Sequence, residues 1–146
     1  EIPLGHTELL DTLNADELAT LQTMLRREAL GQGNLVFKEG DPGDRLFIIT
    51  LGEVSIKLRL PGSVHLQRLA TFGPGMAFGE MALIEGKPRS ADAHVMRDAI
   101  VYSLDATSLD KLRREHPVIA FKITGNLTRQ LAARLRTTSE QLRNSY

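Results

Sequence analysis

The stretch from Phe72 to Ala91 gathers the residue types from which an anion site can be built. Gly73 and Gly75 bracket Pro74, so the backbone must turn sharply there. Gly79 then precedes Glu80 and a short apolar run, Met81-Ala82-Leu83-Ile84, which predicts about one helical turn before Gly86 and Pro88 stop it. The start of such a turn leaves backbone N–H groups without partners, and with the end dipole they attract negative charge. Arg89 suits the other side of that anion, because a guanidinium offers a planar fork of donors and stays charged. Glu80 has the opposite chemistry: ionised, it only accepts hydrogen bonds, which suits sugar hydroxyls rather than a phosphate. Taken singly these residues are unremarkable, since Arg89 alone reads as half of a surface ion pair worth under ~1 kcal/mol. Glu80 alone reads as a solvated carboxylate, Gly79 as any tight turn and Ser90 as a strand hydroxyl facing water. The joint spacing is what points to capture of a hydroxyl-bearing anion.

Three kinds of element must hold this segment. Asn14 and Glu17 form a capping pair, and Leu18, Leu21 and Leu25 follow at helical spacing, which predicts a helix over about 15–29 ended by Gly31 and Gly33. Short β-branched and aromatic runs then alternate with Gly and Pro: Leu35-Val36-Phe37, Leu46-Phe47-Ile48-Ile49 and Ala99-Ile100-Val101-Tyr102. The clearest strand puts Val54, Ile56, Leu58 and Leu60 on one face and Ser55, Lys57 and Arg59 on the other, before Pro61-Gly62 turns the chain. Many short strands of this kind suggest a sandwich or jelly roll. Helical spacing returns after Asp105, with a short segment Leu109–Glu115 and a last helix opened by Pro117 that runs to about Leu142. In that helix Thr128, Leu131, Leu135, Thr138 and Leu142 recur three and four apart, a seam for the barrel or for a second subunit. The expected fold is α+β: an antiparallel β jelly-roll barrel flanked by an N-terminal helix and C-terminal helices. One domain spans 1–146, with a helical part at 1–33, the barrel at 34–104 and lid helices at 105–146.

Phe78-Gly79-Glu80-Met81-Ala82-Leu83, continuing to Pro88-Arg89-Ser90-Ala91, resembles the phosphate-binding cassette of the cyclic-nucleotide-binding domain family. Upstream, Phe37-Lys38-Glu39-Gly40-Asp41-Pro42-Gly43-Asp44, then Leu46–Ile49 and Gly52-Glu53-Val54, is similar to the family's first barrel strands and the glycine-marked turn between them. The resemblance covers essentially the whole chain. It implies that Glu80 binds a ribose 2′-hydroxyl, that Arg89 binds the exocyclic phosphate oxygens, and that the amides around Ala82 and Leu83 complete the phosphate site. Ser90 would add a hydroxyl near phosphate and base. The last helix is similar to that of the bacterial catabolite activators, where a Thr-Ser pair matching Thr138 and Ser139 contacts the adenine amino group, partly from the opposite subunit. This implies cyclic AMP as ligand, with cyclic GMP as the alternative. The Asp41-Pro42-Gly43-Asp44 segment reads as a structural turn without ligand contacts.

Composition narrows the class further. In 146 residues, 18 Lys and Arg balance 18 Asp and Glu, so no global field draws the chain onto nucleic acid or anionic membrane. Arg113, Arg114, Lys122, Arg129, Arg134 and Arg136 lie scattered among apolar positions, which predicts a solvated face rather than a groove-reading helix. With no cysteine, thiolate metal sites and cysteine nucleophiles are excluded, and the pattern suits a cytoplasmic setting. His6, His65, His94 and His116 are scattered without metal-ligand spacing, so metal-assisted hydrolysis of the nucleotide has no visible ligands. No apolar run approaches the roughly 18 residues of a membrane span. A chain opening at Glu1 suggests a piece of a longer protein. The expectation is a non-catalytic sensor, without metal or cofactor, that controls an attached effector domain through its C-terminal helix. The alternative is the effector-binding part of a catabolite-activator-type transcription regulator, truncated before its DNA-binding unit. Partners would be the cyclic nucleotide, the effector and a second copy through the last helix, but not nucleic acid.

Overall fold

The computed structural model describes residues 1–144, so the last two positions of the expected lid region fall outside the described residues. Helix α1 (Ala15–Gln22) begins as the capping pair dictates: Glu17 N donates to Asn14 Oδ1 and Asn14 N to Glu17 Oε1, both at 2.9 Å. It stops seven residues short of the expected end. Residues Arg26–Leu30 instead form β1, paired antiparallel with β6 (Asp92–Asp105) from Arg26 opposite Ser103 to Leu30 opposite Ala99. The helical part therefore does not reach residue 33, and the sheet begins at 26. Leu25 does pack against the core, but by following α1 into the sheet rather than by extending it.

The remaining strands are β2 (Leu35–Phe37), β3 (Arg45–Arg59), β4 (Leu66–Phe72) and β5 (Ala77–Phe78). They form one antiparallel sheet of order β1-β6-β3-β4, with β2 on β6 and β5 on β3. The glycine-marked turn expected at Gly52 is absent. β3 runs straight through Gly52 as one 15-residue strand, and the extra residues are absorbed as register shifts against β6 between Ile49 and Val54. The expected alternation also fails at Ser55, which is fully buried and shares a 3.1 Å hydrogen bond with Thr71.

Two apolar clusters meet across β3. Leu46 and Ile48 join Leu104, Leu112, Ile119, Ile123 and the N-terminal leucines beneath the helices. Phe47 and Ile49 point the other way, into the barrel with Val54, Phe72, Phe78, Val95 and Val101. Burial on both faces explains why Leu46–Ile49 is continuously apolar rather than alternating.

Helix α2 (Glu80–Glu85) is the short turn expected from the sequence, and α3 (Ala106–Glu115) starts three residues earlier than expected because Asp105 Oδ1 caps it through Ser108 N at 2.7 Å. Helix α4 (Pro117–Asn144) starts at the proline. Its first half is anchored: Ile119, Ala120, Ile123 and Leu127 are buried, and buried Asn126 donates to Leu9 O at 2.9 Å and Thr12 Oγ1 at 2.8 Å. Lys122 reaches Glu17 Oε1 at 2.6 Å, and Gln130 reaches Glu8 at 2.7 Å. The second half packs into neither core: beyond Leu131 every described residue except half-buried Arg134 is exposed. Of the expected seam, Leu131 packs on the protein's own core, whereas Leu135 and Leu142 are 69% and 58% exposed. Among the described residues no helix is long and apolar enough to cross a membrane.

Candidate functional site

Gly79 sets the geometry of the site. It is the N-cap of α2 with φ +78°, a left-handed conformation, and it has no side chain to cap the first amides. A Cβ there would also crowd the Arg89 guanidinium and the Phe47 ring, at 3.0 and 3.3 Å.

Arg89 is 4% exposed and held at both ends. Its amide donates to Asp41 O at 2.8 Å, and its carbonyl accepts from Gly40 N at 2.9 Å. Gly43 packs so tightly on the cassette that an added Cβ would collide with Ala82 Cβ and the Lys87 carbonyl. The Asp41–Asp44 turn is thus the clamp that fixes the cassette. At its far end Arg89 donates from Nη1 to Gly79 O at 2.6 Å and from Nη2 to Arg45 O at 2.5 Å, while its carbon Cζ lies 4.1 Å from the Phe37 ring centre. Nε is buried without a partner among the described residues. Burial pulls this guanidinium below its ordinary value, Asp44 offsets part of that, and Arg45 adds to it.

Glu80, 3% exposed, is met from α4 by a residue that the sequence assigned to a solvated face. Arg134 donates from Nη1 to Glu80 Oε1 and from Nη2 to Ala77 O, both at 2.7 Å, with its Cζ 4.7 Å from the Phe72 ring centre. It straps the last helix to the cassette. The only signal in the sequence was its place one turn before Thr138.

A cavity of about 200 Å³ lies between these groups. Phe78, Gly79, Glu80, Met81, Ala82, Arg89, Ser90 and Ala91 line it together with Arg134 and the apolar wall of Phe37, Ile56, Ala70 and Phe72. Leu83 is not brought there: its side chain packs on the helical core and lines a neighbouring cavity beneath α3 and α4. Thr138 and Ser139 also lie off this cavity on the exposed half of α4, and the Thr138 hydroxyl is spent on Arg134 O at 3.0 Å. Nine-tenths-buried Arg89 and Glu80 leave one cation and one acceptor facing an apolar wall, a set that can hold an anion, a hydroxyl and a flat apolar group.

Comparison with known proteins identifies the family. The chain is 39% identical to glutaminase 2 of Bradyrhizobium diazoefficiens over 92% of its own length, which is 20% of that protein. It is 33% identical to the CRP-like cAMP-activated global transcriptional regulator of Mycobacterium tuberculosis over 95% of its length, 60% of the regulator. The chain thus spans only a fifth and three fifths of these relatives. The crystal structure of a cyclic nucleotide-binding domain from Methylobacillus flagellatus superposes with TM-score 0.84 at 28% identity, covering 92% of this chain and 75% of that one. The profile of the cyclic nucleotide-binding domain family matches residues 27–116, more than half of the chain, and the chain belongs to that family.

Proposed function

We propose that this chain is a cyclic AMP sensor that binds the nucleotide without turning it over and reports occupancy through α4. The observation that carries the reading is the convergence of buried Arg89 and buried Glu80 on one apolar-walled cavity. Arg89 and the first amides of α2 take the phosphate, Glu80 takes the ribose 2′-hydroxyl, Ser90 adds a hydroxyl, and the base lies against Ile56, Ala70 and Phe72. Met81, Ala82 and Ala91 shape the floor. A carboxylate has capacity for several donors, so Glu80 accepts the sugar hydroxyl while keeping Arg134. Ligand then strengthens a bridge that already ties the barrel to α4, which gives it different affinities for two positions of the helix. Leu83, which packs from α2 onto the helical core, transmits movement of the cassette. Thr138 and Ser139 reach a base only if the distal helix swings inward or if a second copy, joined through exposed Leu135 and Leu142, presents them to its partner's cavity.

The reading needs neither metal nor cofactor, and among the described residues no cluster of His, Asp or Glu is arranged to hold a metal ion. It places the domain in the cytosol, attached to an effector that α4 controls, without itself contacting nucleic acid. The matched cAMP-activated transcriptional regulator, aligned over 95% of this chain, supports cyclic AMP as the ligand. Titration calorimetry with cyclic AMP, cyclic GMP and 5′-AMP tests the proposal. One saturating site that prefers cyclic AMP, with the ligand recovered intact, is expected; absence of binding, or conversion to 5′-AMP, would refute it.

A further inference from the structure

The hairpin between β3 and β4 is charged and apolar in a way that the pocket does not use. From Val54 to Gly79 the sequence holds Lys57, Arg59 and Arg68 plus His65 and no carboxylate, in a chain whose charges cancel overall. Lys57 faces Arg68 directly across the ladder, a like-charge pairing that costs stability. Asp92 sits opposite Lys57 on β6, but it already accepts the Glu39 amide at 2.7 Å and lies 3.7 Å from His94. None of the ion pairs among the described residues includes Lys57, Arg59 or Arg68.

The ribbon also projects. Pairing with β6 ends at Lys57, so Leu58 and Arg59 are held by β4 alone, opposite Gln67 and Leu66. At its tip Val64 is 82% exposed, with Leu60 at 41% beside it and Leu69, displaced at a register shift, at 54%. We propose that this ribbon docks the domain on an anionic lipid surface, with Val64 and Leu60 entering the interface and Arg59, Arg68 and Lys57 meeting the headgroups. Strand geometry sets those cations roughly 3–10 Å behind the loop. That is about the depth of one headgroup layer, roughly 5–8 Å. A narrow convex tip ending in aliphatic side chains has little area for a rigid protein partner but fits a deformable interface. Lys57, Arg59, Leu60, Val64 and Arg68 do not line the nucleotide cavity, although Ile56 and Ala70 of the same ribbon do, and the vesicle assay is run without nucleotide so that its outcome does not depend on that cavity.

The test uses this chain, which contains no tryptophan, with Val64→Trp as a fluorescent reporter. Phosphatidylserine-rich vesicles should sediment the protein and shift the tryptophan emission to the blue, whereas phosphatidylcholine vesicles should do neither. Arg59→Gln and Arg68→Gln should each lower the partition about fivefold, and added salt should lower it further. Melting temperatures no lower than wild type, with a small rise for Arg68→Gln as the pairing with Lys57 is relieved, confirm that the fold is intact. Equal binding to neutral vesicles, an unshifted emission, or partition indifferent to the arginines would overturn the proposal. So would binding to soluble polyglutamate with unshifted emission, which would assign the ribbon to an acidic protein.

Discussion

Replacing Arg89 by Leu separates what that residue does for the fold from what it does for the ligand. In the free protein the substitution removes two short hydrogen bonds, to Gly79 O at 2.6 Å and Arg45 O at 2.5 Å. Leaving a buried acceptor without its donor costs about 1–3 kcal/mol. Against this, a cation that burial already disfavours is no longer taken out of water, a relief of several kcal/mol. The two effects nearly cancel, and the variant should melt within roughly 8 °C of wild type, equivalent to about 2 kcal/mol for a domain of this size. Binding has no such compensation, because the other guanidinium lining the cavity, Arg134, is engaged by Glu80. A loss of about 2–4 kcal/mol is expected for a desolvated charge-assisted contact. That is a fall in cyclic AMP affinity of about 30- to 1,000-fold. Thermal melting without ligand and calorimetry with it measure the two halves, and Arg89→Lys, which keeps charge but not the fork, should fall between. A folded Arg89→Leu variant that binds cyclic AMP within about threefold of wild type would refute the assignment of the phosphate to this cassette.

Glu80→Gln should weaken binding less than Arg89→Leu and should erase the preference for cyclic AMP over its 2′-deoxy analogue; an undiminished preference in competition assays would place the hydroxyl elsewhere. Gly43→Ala forces Ala82 or the Lys87 carbonyl to move, an overpacking that costs about 1–3 kcal/mol, read as a lowered melting temperature together with weakened nucleotide binding. The Asn14 amide, then Lys122, holds the Glu17 carboxyl below its ordinary value of 4.5, so the stability from this pair is present above that value and lost as pH falls through the depressed one. Glu17→Gln should therefore flatten the acid limb of a stability–pH curve and lower stability near neutrality. Amide exchange should be slow in α4 up to about Leu131 with or without nucleotide, and fast beyond it until cyclic AMP is added. Leu135→Asp should abolish any dimer seen by light scattering in the same samples.

The cassette was legible because its determinants are local. Gly79, the four apolar residues and Gly86 specify α2 within one short stretch, and Arg89 follows on the same loop. Helix starts were legible for the same reason, at Asn14 and Pro117. What escaped depends on contacts distant in sequence. Arg134 finds Glu80 across 54 positions, and nothing beside it distinguishes it from Arg136. Arg26–Leu30 has ordinary helical composition and becomes a strand only because β6 offers it an edge. Ser55 looks like a solvent-facing hydroxyl until Thr71, brought opposite by the β4 ladder, removes it from water.

Because α4 packs on the core only as far as Leu131 and is tied to the cassette just beyond it by Arg134, it has the form of a cantilever. Of its 28 residues, those beyond Leu131 form an arm of about 20 Å at 1.5 Å per residue. A tilt of only about 10° at the base would carry the end through roughly 3.5 Å. Arg134 sits just past Leu131, the last residue of α4 packed on the core, where a force from the cassette acts with little travel and a large gain at the tip. A domain built this way can convert a shift of a few tenths of an ångström at Glu80 into a displacement large enough to make or break side-chain contacts, without disturbing either of its cores.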